Sequence, residues 1–166
     1  MNSKTRKIVT AALIGAVYAV LTLFLAPFSY GEIQFRASEA LTILPFFSSF
    51  PIYGLFIGCI AANILSPIGP LDMIFGSFAT LIAATITYYI GKSNLRFKRY
   101  LAPLPAVIVN GVVIGLLISY TAKIPFIIPA LQVAFGELVV CYVLGLPLLV
   151  IIEKNPRLKN YFSKVF

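Results

Sequence analysis

The 166-residue sequence contains no histidine, a single aspartate (Asp72) and only five acidic residues in all. Without histidine it lacks the commonest general base and the commonest transition-metal ligand. A Ser–His–Asp triad is therefore excluded, as is an intramembrane protease of the paired-aspartate type. Cysteine is equally scarce. Cys59 and Cys141 both fall inside apolar runs without CxxC spacing, which indicates neither a redox centre nor a metal site. No metal and no cofactor are expected. Gly91-Lys92-Ser93 resembles the end of a phosphate-binding loop, but Ile86 occupies the position that requires the first glycine. Internal repeats and low-complexity tracts are also missing. Charged residues make up 11% of the chain and hydrophobic ones 60%, a balance foreign to soluble globular domains.

What the chain does have is apolar runs near twenty residues long, separated by clustered cations. Of its thirteen Lys and Arg residues, all but Arg36 and Lys123 lie in three short segments. Lys4, Arg6 and Lys7 form the first; Lys92, Arg96, Lys98 and Arg99 the second; Lys154, Arg157, Lys159 and Lys164 the third. Cations flanking membrane spans stay on the cytoplasmic side, so both termini and the central loop are expected inside. The net charge of +8 is accounted for by retention beside anionic lipid rather than by nucleic acid. The expected fold is all-α, one domain over residues 1–166, multi-pass in the plasma membrane.

Six apolar segments can be drawn, at about residues 8–26, 36–47, 51–65, 71–90, 101–120 and 129–152. The first is longer than a signal-peptide core and is read as a retained anchor. The second and third are short for spans and could be tilted or re-entrant. Six crossings return the chain to its starting side, in keeping with basic residues near both ends. The loops near residues 27–36, 66–71 and 121–128 then share the outer side.

Ionic groups at membrane depth are costly and each suggests a function or a satisfied partner. Four qualify: Arg36, Glu39, Asp72 and Glu137. Arg36 and Glu39, three residues apart, are expected to pair or to meet a ligand. Asp72 opens the fourth segment, where it would also suit a helix N-terminus. Glu137 lies roughly 12 Å below the outer end of the sixth segment at 1.5 Å per residue, with no local cation. Asn63 and Asn110 add amides towards the same side. In the first outer loop Glu32, Gln34 and Phe35 follow Tyr30, with Phe46, Phe47 and Tyr53 further along. A carboxylate can accept two hydrogen bonds from a planar N–H/NH2 edge while an aromatic ring stacks on the heterocycle. The pattern describes a cup open outwards without a polar passage through the protein. In the first segment Ala11, Ala12, Gly15, Ala16 and Ala19 supply small faces for close helix approach, either within the bundle or towards a partner.

With these residues in view, the chain resembles the QueT family of substrate-binding S-components of energy-coupling-factor transporters. The resemblance rests on Gly31-Glu-Ile-Gln-Phe-Arg36, Ser38-Glu-Ala-Leu41, Pro45-Phe-Phe47, Asn63-Ile-Leu-Ser-Pro-Ile-Gly69 and Asp72-Met-Ile-Phe-Gly76. It implies a six-helix bundle that imports a 7-deazaguanine precursor of queuosine. It also implies a membrane coupling subunit and two ATP-binding-cassette ATPases as partners, with Ala12 and Ala16 matching an AxxxA contact motif. In such a system the loaded subunit tilts as a whole. Other readings from the residues are an S-component for a different heterocycle or vitamin, a proton-coupled carrier using Glu137, and a lone-carboxylate membrane enzyme.

Overall fold

The structure, a computed structural model, describes residues 3–164. The side chain of Lys164, the last cation of the third basic segment, lies outside the described residues. Every regular element described is helical: α1 (Ser3–Phe24), α2 (Ala26–Ser29), a 3-10 segment (Ala37–Phe46), α3 (Pro51–Asn63), α4 (Pro70–Lys92) and α5 (Lys98–Leu101). These are followed by α6 (Leu104–Ala122), α7 (Ile127–Val140), a π turn (Cys141–Gly145), α8 (Leu146–Lys154) and α9 (Pro156–Lys164).

Four stretches are long and apolar enough to cross a bilayer: Lys4–Phe24, Pro70–Lys92, Lys98–Ala122 and Ile127–Lys154. The expected second and third spans are shorter. The 3-10 segment has ten residues and α3 thirteen, each roughly 20 Å long against a hydrocarbon core of about 30 Å. Proline explains the truncation. Pro45 interrupts the 3-10 segment near its end and Pro51 starts α3 afresh, with Ser48-Ser49 between them. Eight of the ten residues in the 3-10 segment are buried, so it has almost no lipid-facing side. It packs against α1, α4, the π turn and α8.

Glycines bring α1 and α3 into close approach. A Cβ placed on Gly15 would lie 2.7 Å from the Gly54 carbonyl oxygen, and one on Gly58 would lie 2.6 Å from that of Gly15. A Cβ on Gly54 would run into the backbone of Ala11. Gly54 and Gly58 are thus a small-xxx-small pair seated on Ala11 and Gly15. This face holds Tyr18, fully buried, against the core formed by Leu44, Leu55, Cys59 and Ala62.

The basic segments gather at one end of the bundle. Arg6 lies over the Tyr161 ring at 5.9 Å, and the Thr10 and Tyr161 hydroxyls are 2.6 Å apart. Arg99 pairs with Glu153 at 2.7 Å, and the Tyr142 hydroxyl donates to the Tyr100 carbonyl. Phe162 stacks on Phe50 at 6.0 Å and leans on Phe47 at 6.1 Å, closing this end with aromatic rings. The loops after α2, α3 and α6 meet at the opposite end, where the Tyr30 hydroxyl donates to the Ala62 carbonyl at 2.7 Å.

Gly54→Val should destabilise the protein by roughly 1–3 kcal/mol through overpacking. Thermal unfolding in detergent should show a midpoint several degrees lower, whereas Gly69→Ala, at an open position with positive φ, should act only through local backbone strain.

Candidate functional site

Polar groups are layered beneath the loop end. Outermost is a cavity of about 600 Å3 lined by Tyr30, Glu32, Gln34, Ile118, Ile128 and Gln132, among others. Its floor is shaped by a tight turn in which the Gln34 N–H donates to the Gly31 carbonyl and the Arg36 N–H to that of Gln34. Gln34 adopts a left-handed φ of 54°, uncommon outside glycine, and is nevertheless buried. Gly136 of α7 lets this turn settle directly on the helix, since a Cβ there would meet the Ile33 and Gln34 backbone. Phe35 meets Phe135 edge to face at 6.3 Å.

The next layer is an ion pair. Arg36 Nη2 lies 3.0 Å from Asp72 Oδ2, with the two side chains 4% and 0% exposed. Arg36 Nε donates to the Ser29 carbonyl, and its guanidinium sits 5.4 Å from the Tyr30 ring centroid. The Ser66 hydroxyl donates to the same Asp72 oxygen at 2.6 Å, and Asn63 Nδ2 donates to the Asp72 carbonyl at 3.1 Å. This set ties the first loop to the Pro/Gly-rich turn before α4. An ion pair out of water needs such extra hydrogen bonds to offset its desolvation.

Deeper still lie two carboxylates. Glu39 Oε1 accepts from the Tyr18 hydroxyl and, at 3.1 Å, from Thr80 Oγ1. Glu137 Oε1 accepts from Asn110 Nδ2 at 2.9 Å, and Cys141 Sγ donates to its Oε2 at 3.6 Å. Cys141 Sγ further approaches the Glu39 carbonyl at 3.7 Å, linking the π turn to the 3-10 segment. Among the described residues Glu39 Oε2, Asn63 Oδ1, Asp72 Oδ1 and Ser77 Oγ have no hydrogen-bond partner. No group of His, Cys, Asp or Glu among them could hold a metal ion.

A buried ionic layer thus lies under a cavity, inside a bundle of apolar helices. Residues 8–154 match the family model described as QueT transporter. The chain belongs to the QueT transporter family. It is also 32% identical over 149 residues to the "Queuosine precursor transporter QueT" of Lactococcus lactis subsp. cremoris (strain MG1363), covering 82% of this chain and 86% of the relative. No solved structure matches it. The family and this relative are transporters, not enzymes, which answers the lone-carboxylate enzyme reading.

In this QueT family member the residues singled out from the sequence divide into layers rather than one cluster. Glu32 and Gln34 line the outer cavity; Arg36, Asn63 and Asp72 form the middle layer; Glu39, Asn110 and Glu137 form the deep one. Two expectations need correction. Arg36 does not pair with Glu39 but with Asp72. It stands just before the 3-10 segment in extended backbone, which frees its side chain from the helical face carrying Glu39. Asp72 does lie in the first turn of α4, but it is not the N-cap, which is Gly69; its carboxylate is taken by Arg36 and Ser66 instead. Phe46, Phe47 and Tyr53 also leave the loop group. Phe47 leans on Phe162, Phe46 lies 5.8 Å from Lys98 Nζ, and Tyr53 joins Lys4 and Lys7 at the basic end.

Tyr18 and Thr80 hold a site carboxylate yet carry no charge that would have drawn attention. The signal for Thr80 was its spacing, for Asp72, Gly76 and Thr80 recur every four residues on one buried stripe of α4. The small residues of α1 serve two faces. Ala11 and Gly15 pack on α3, whereas Ala12 and Ala16 are exposed and line an apolar groove of about 680 Å3 with Ile57 and Ala61 of α3.

Arg36→Met should leave Asp72 as a buried unpaired charge and cost about 3–5 kcal/mol. Thermal melts should fall by roughly 10 °C, and Arg36→Met combined with Asp72→Leu should recover most of that loss.

Proposed function

We propose that this QueT family member is the substrate-binding S-component of an energy-coupling-factor transporter that imports a 7-deazaguanine precursor of queuosine. The observation that carries this reading is the deep layer: two carboxylates, Glu39 and Glu137, the latter held by the Asn110 amide, buried inside an apolar bundle. A guanine-type edge offers N–H and NH2 donors beside a carbonyl acceptor. A carboxylate accepts the two donors together, and an asparagine amide donates to the carbonyl. The name of the Lactococcus lactis relative, a queuosine precursor transporter, supports the same substrate class.

The ligand enters through the cavity at the loop end, which faces outwards, while both termini and the central basic loop lie in the cytoplasm. The basic end is sealed by Phe47, Phe50 and Phe162, so release inside requires movement of the subunit rather than a channel through it. A tilt driven by a membrane coupling subunit and two ATP-binding-cassette ATPases meets that requirement. The coupling subunit docks on the exposed Ala12/Ala16 face, where small side chains and the groove against α3 admit an apolar helix.

Calorimetry on the purified protein with 7-deazaguanine bases tests the substrate; no saturable binding to any of them overturns it. Glu137→Gln should weaken binding roughly 10- to 100-fold, as expected for removing a charge-assisted hydrogen bond of about 1.5–3 kcal/mol. Ala12→Leu should leave that affinity unchanged and lower uptake in vesicles containing the complete complex. Undiminished uptake would move the docking face elsewhere.

A further inference from the structure

A groove of about 680 Å3 runs between α1 and α3 on the outside of the bundle. Its walls are small side chains, Ala12, Ala16 and Ala19 on one helix and Ala61 on the other, with Ile57 along the edge. Gly54 and Gly58 draw the two backbones together beneath it. No charged residue lines the groove except Lys4 and Lys7, and both stand at its basic end. Three residues apart, they share one side of α1, whereas Arg6 turns to the Tyr161 ring. From Lys7 to Ala19 the helix climbs about 18 Å at 1.5 Å per residue. One hydrocarbon leaflet is roughly 15 Å thick, half of the bilayer core. The groove is therefore about one leaflet deep, with its cations where the headgroups lie.

We propose that this groove binds one anionic phospholipid, its acyl chain laid along Ala12 and Ala16 and its phosphate held by Lys4 and Lys7. Lysine stems lie along apolar surface and carry the ammonium out to the interface, so both can reach a phosphate at the mouth of the groove. A zwitterionic lipid offers the same chain but balances its phosphate with its own cation. The lysines therefore select for headgroup charge, while the groove selects for the chain. In the orientation proposed above this end meets the cytoplasmic leaflet, which carries the anionic lipids. None of the lining residues belongs to the cavity at the loop end or to the polar layers beneath it. The lipid covers the Ala12 and Ala16 face while the subunit is alone, and a helix that docks on this face displaces it.

The test is native mass spectrometry of the delipidated full chain, titrated with phosphatidylglycerol and with phosphatidylcholine of the same acyl chains. One phosphatidylglycerol per chain should be retained, with an affinity roughly tenfold above that of phosphatidylcholine. Lys4→Gln combined with Lys7→Gln should bring the two lipids within about threefold of each other. Ala16→Phe, which fills the groove from a lipid-facing position, should abolish retention of both. Equal affinities in the unaltered protein, or a preference that survives the double lysine change, would overturn the proposal. Undiminished retention by Ala16→Phe would place the lipid elsewhere and overturn it too. A dimer mass in place of the lipid adduct would assign the face to a second copy of the chain, with the same consequence. None of these readouts involves solute binding or uptake, so their failure leaves the S-component reading standing. The comparison on the unaltered protein decides the matter even if a variant fails to fold.

Discussion

Removing an ion from water is the constraint around which this bundle is organised. Each carboxylate in an apolar interior must collect its donors from the protein, and here they arrive from different helices. Asp72 at the start of α4 draws on Arg36 before the 3-10 segment and on Ser66 after α3. Glu39 draws on α1 and α4 through Tyr18 and Thr80. Glu137 draws on α6 through Asn110. The polar layer therefore does structural work, because each of these three acids fastens at least two elements. The helix contacts around it are correspondingly close, with Gly136, Gly76 and Gly145 placed where backbone or a polar side chain passes.

Much of this was legible in the sequence because lipid makes charge conspicuous. Arg36, Glu39, Asp72 and Glu137 stand out against apolar neighbours, and all four prove to be buried. The clustering of cations was equally readable, and the three basic segments do meet at one end through Tyr161, Glu153 and Phe162. Partner choice was not readable. A three-residue spacing favours Arg36 and Glu39 only if both sit in the same helix, and the extended backbone at Arg36 removes that condition. Neutral partners such as Tyr18 escaped notice because a hydroxyl in an apolar run looks like ordinary core or interfacial aromatic. Whether the two short segments cross was left open by the sequence for a related reason. Hydropathy reports how apolar a stretch is, and a segment enclosed by other helices is as apolar as one that faces lipid.

The division of α1 into two small-residue faces shows how one pattern can serve two purposes. Ala11 and Gly15 are consumed by α3, and a helix packed so tightly on one side has little freedom to rotate. Ala12 and Ala16 are consequently presented at a fixed angle. The same rigidity holds Tyr18 against Glu39, so the outward face and the buried acid are positioned by a single seam.

The π turn keeps the last helix in phase. Glu137, Cys141, Gly145 and Leu149 are all buried and follow one another at intervals of four. In a uniform α-helix each interval overshoots a 3.6-residue turn by about 40°, so three of them would carry Leu149 roughly 120° away from Glu137. The wider turn at Cys141–Gly145 absorbs this drift. One helix can thereby aim an acid into the polar layer near its beginning and a leucine into the cluster of Ile43, Phe46 and Ala102 near its end.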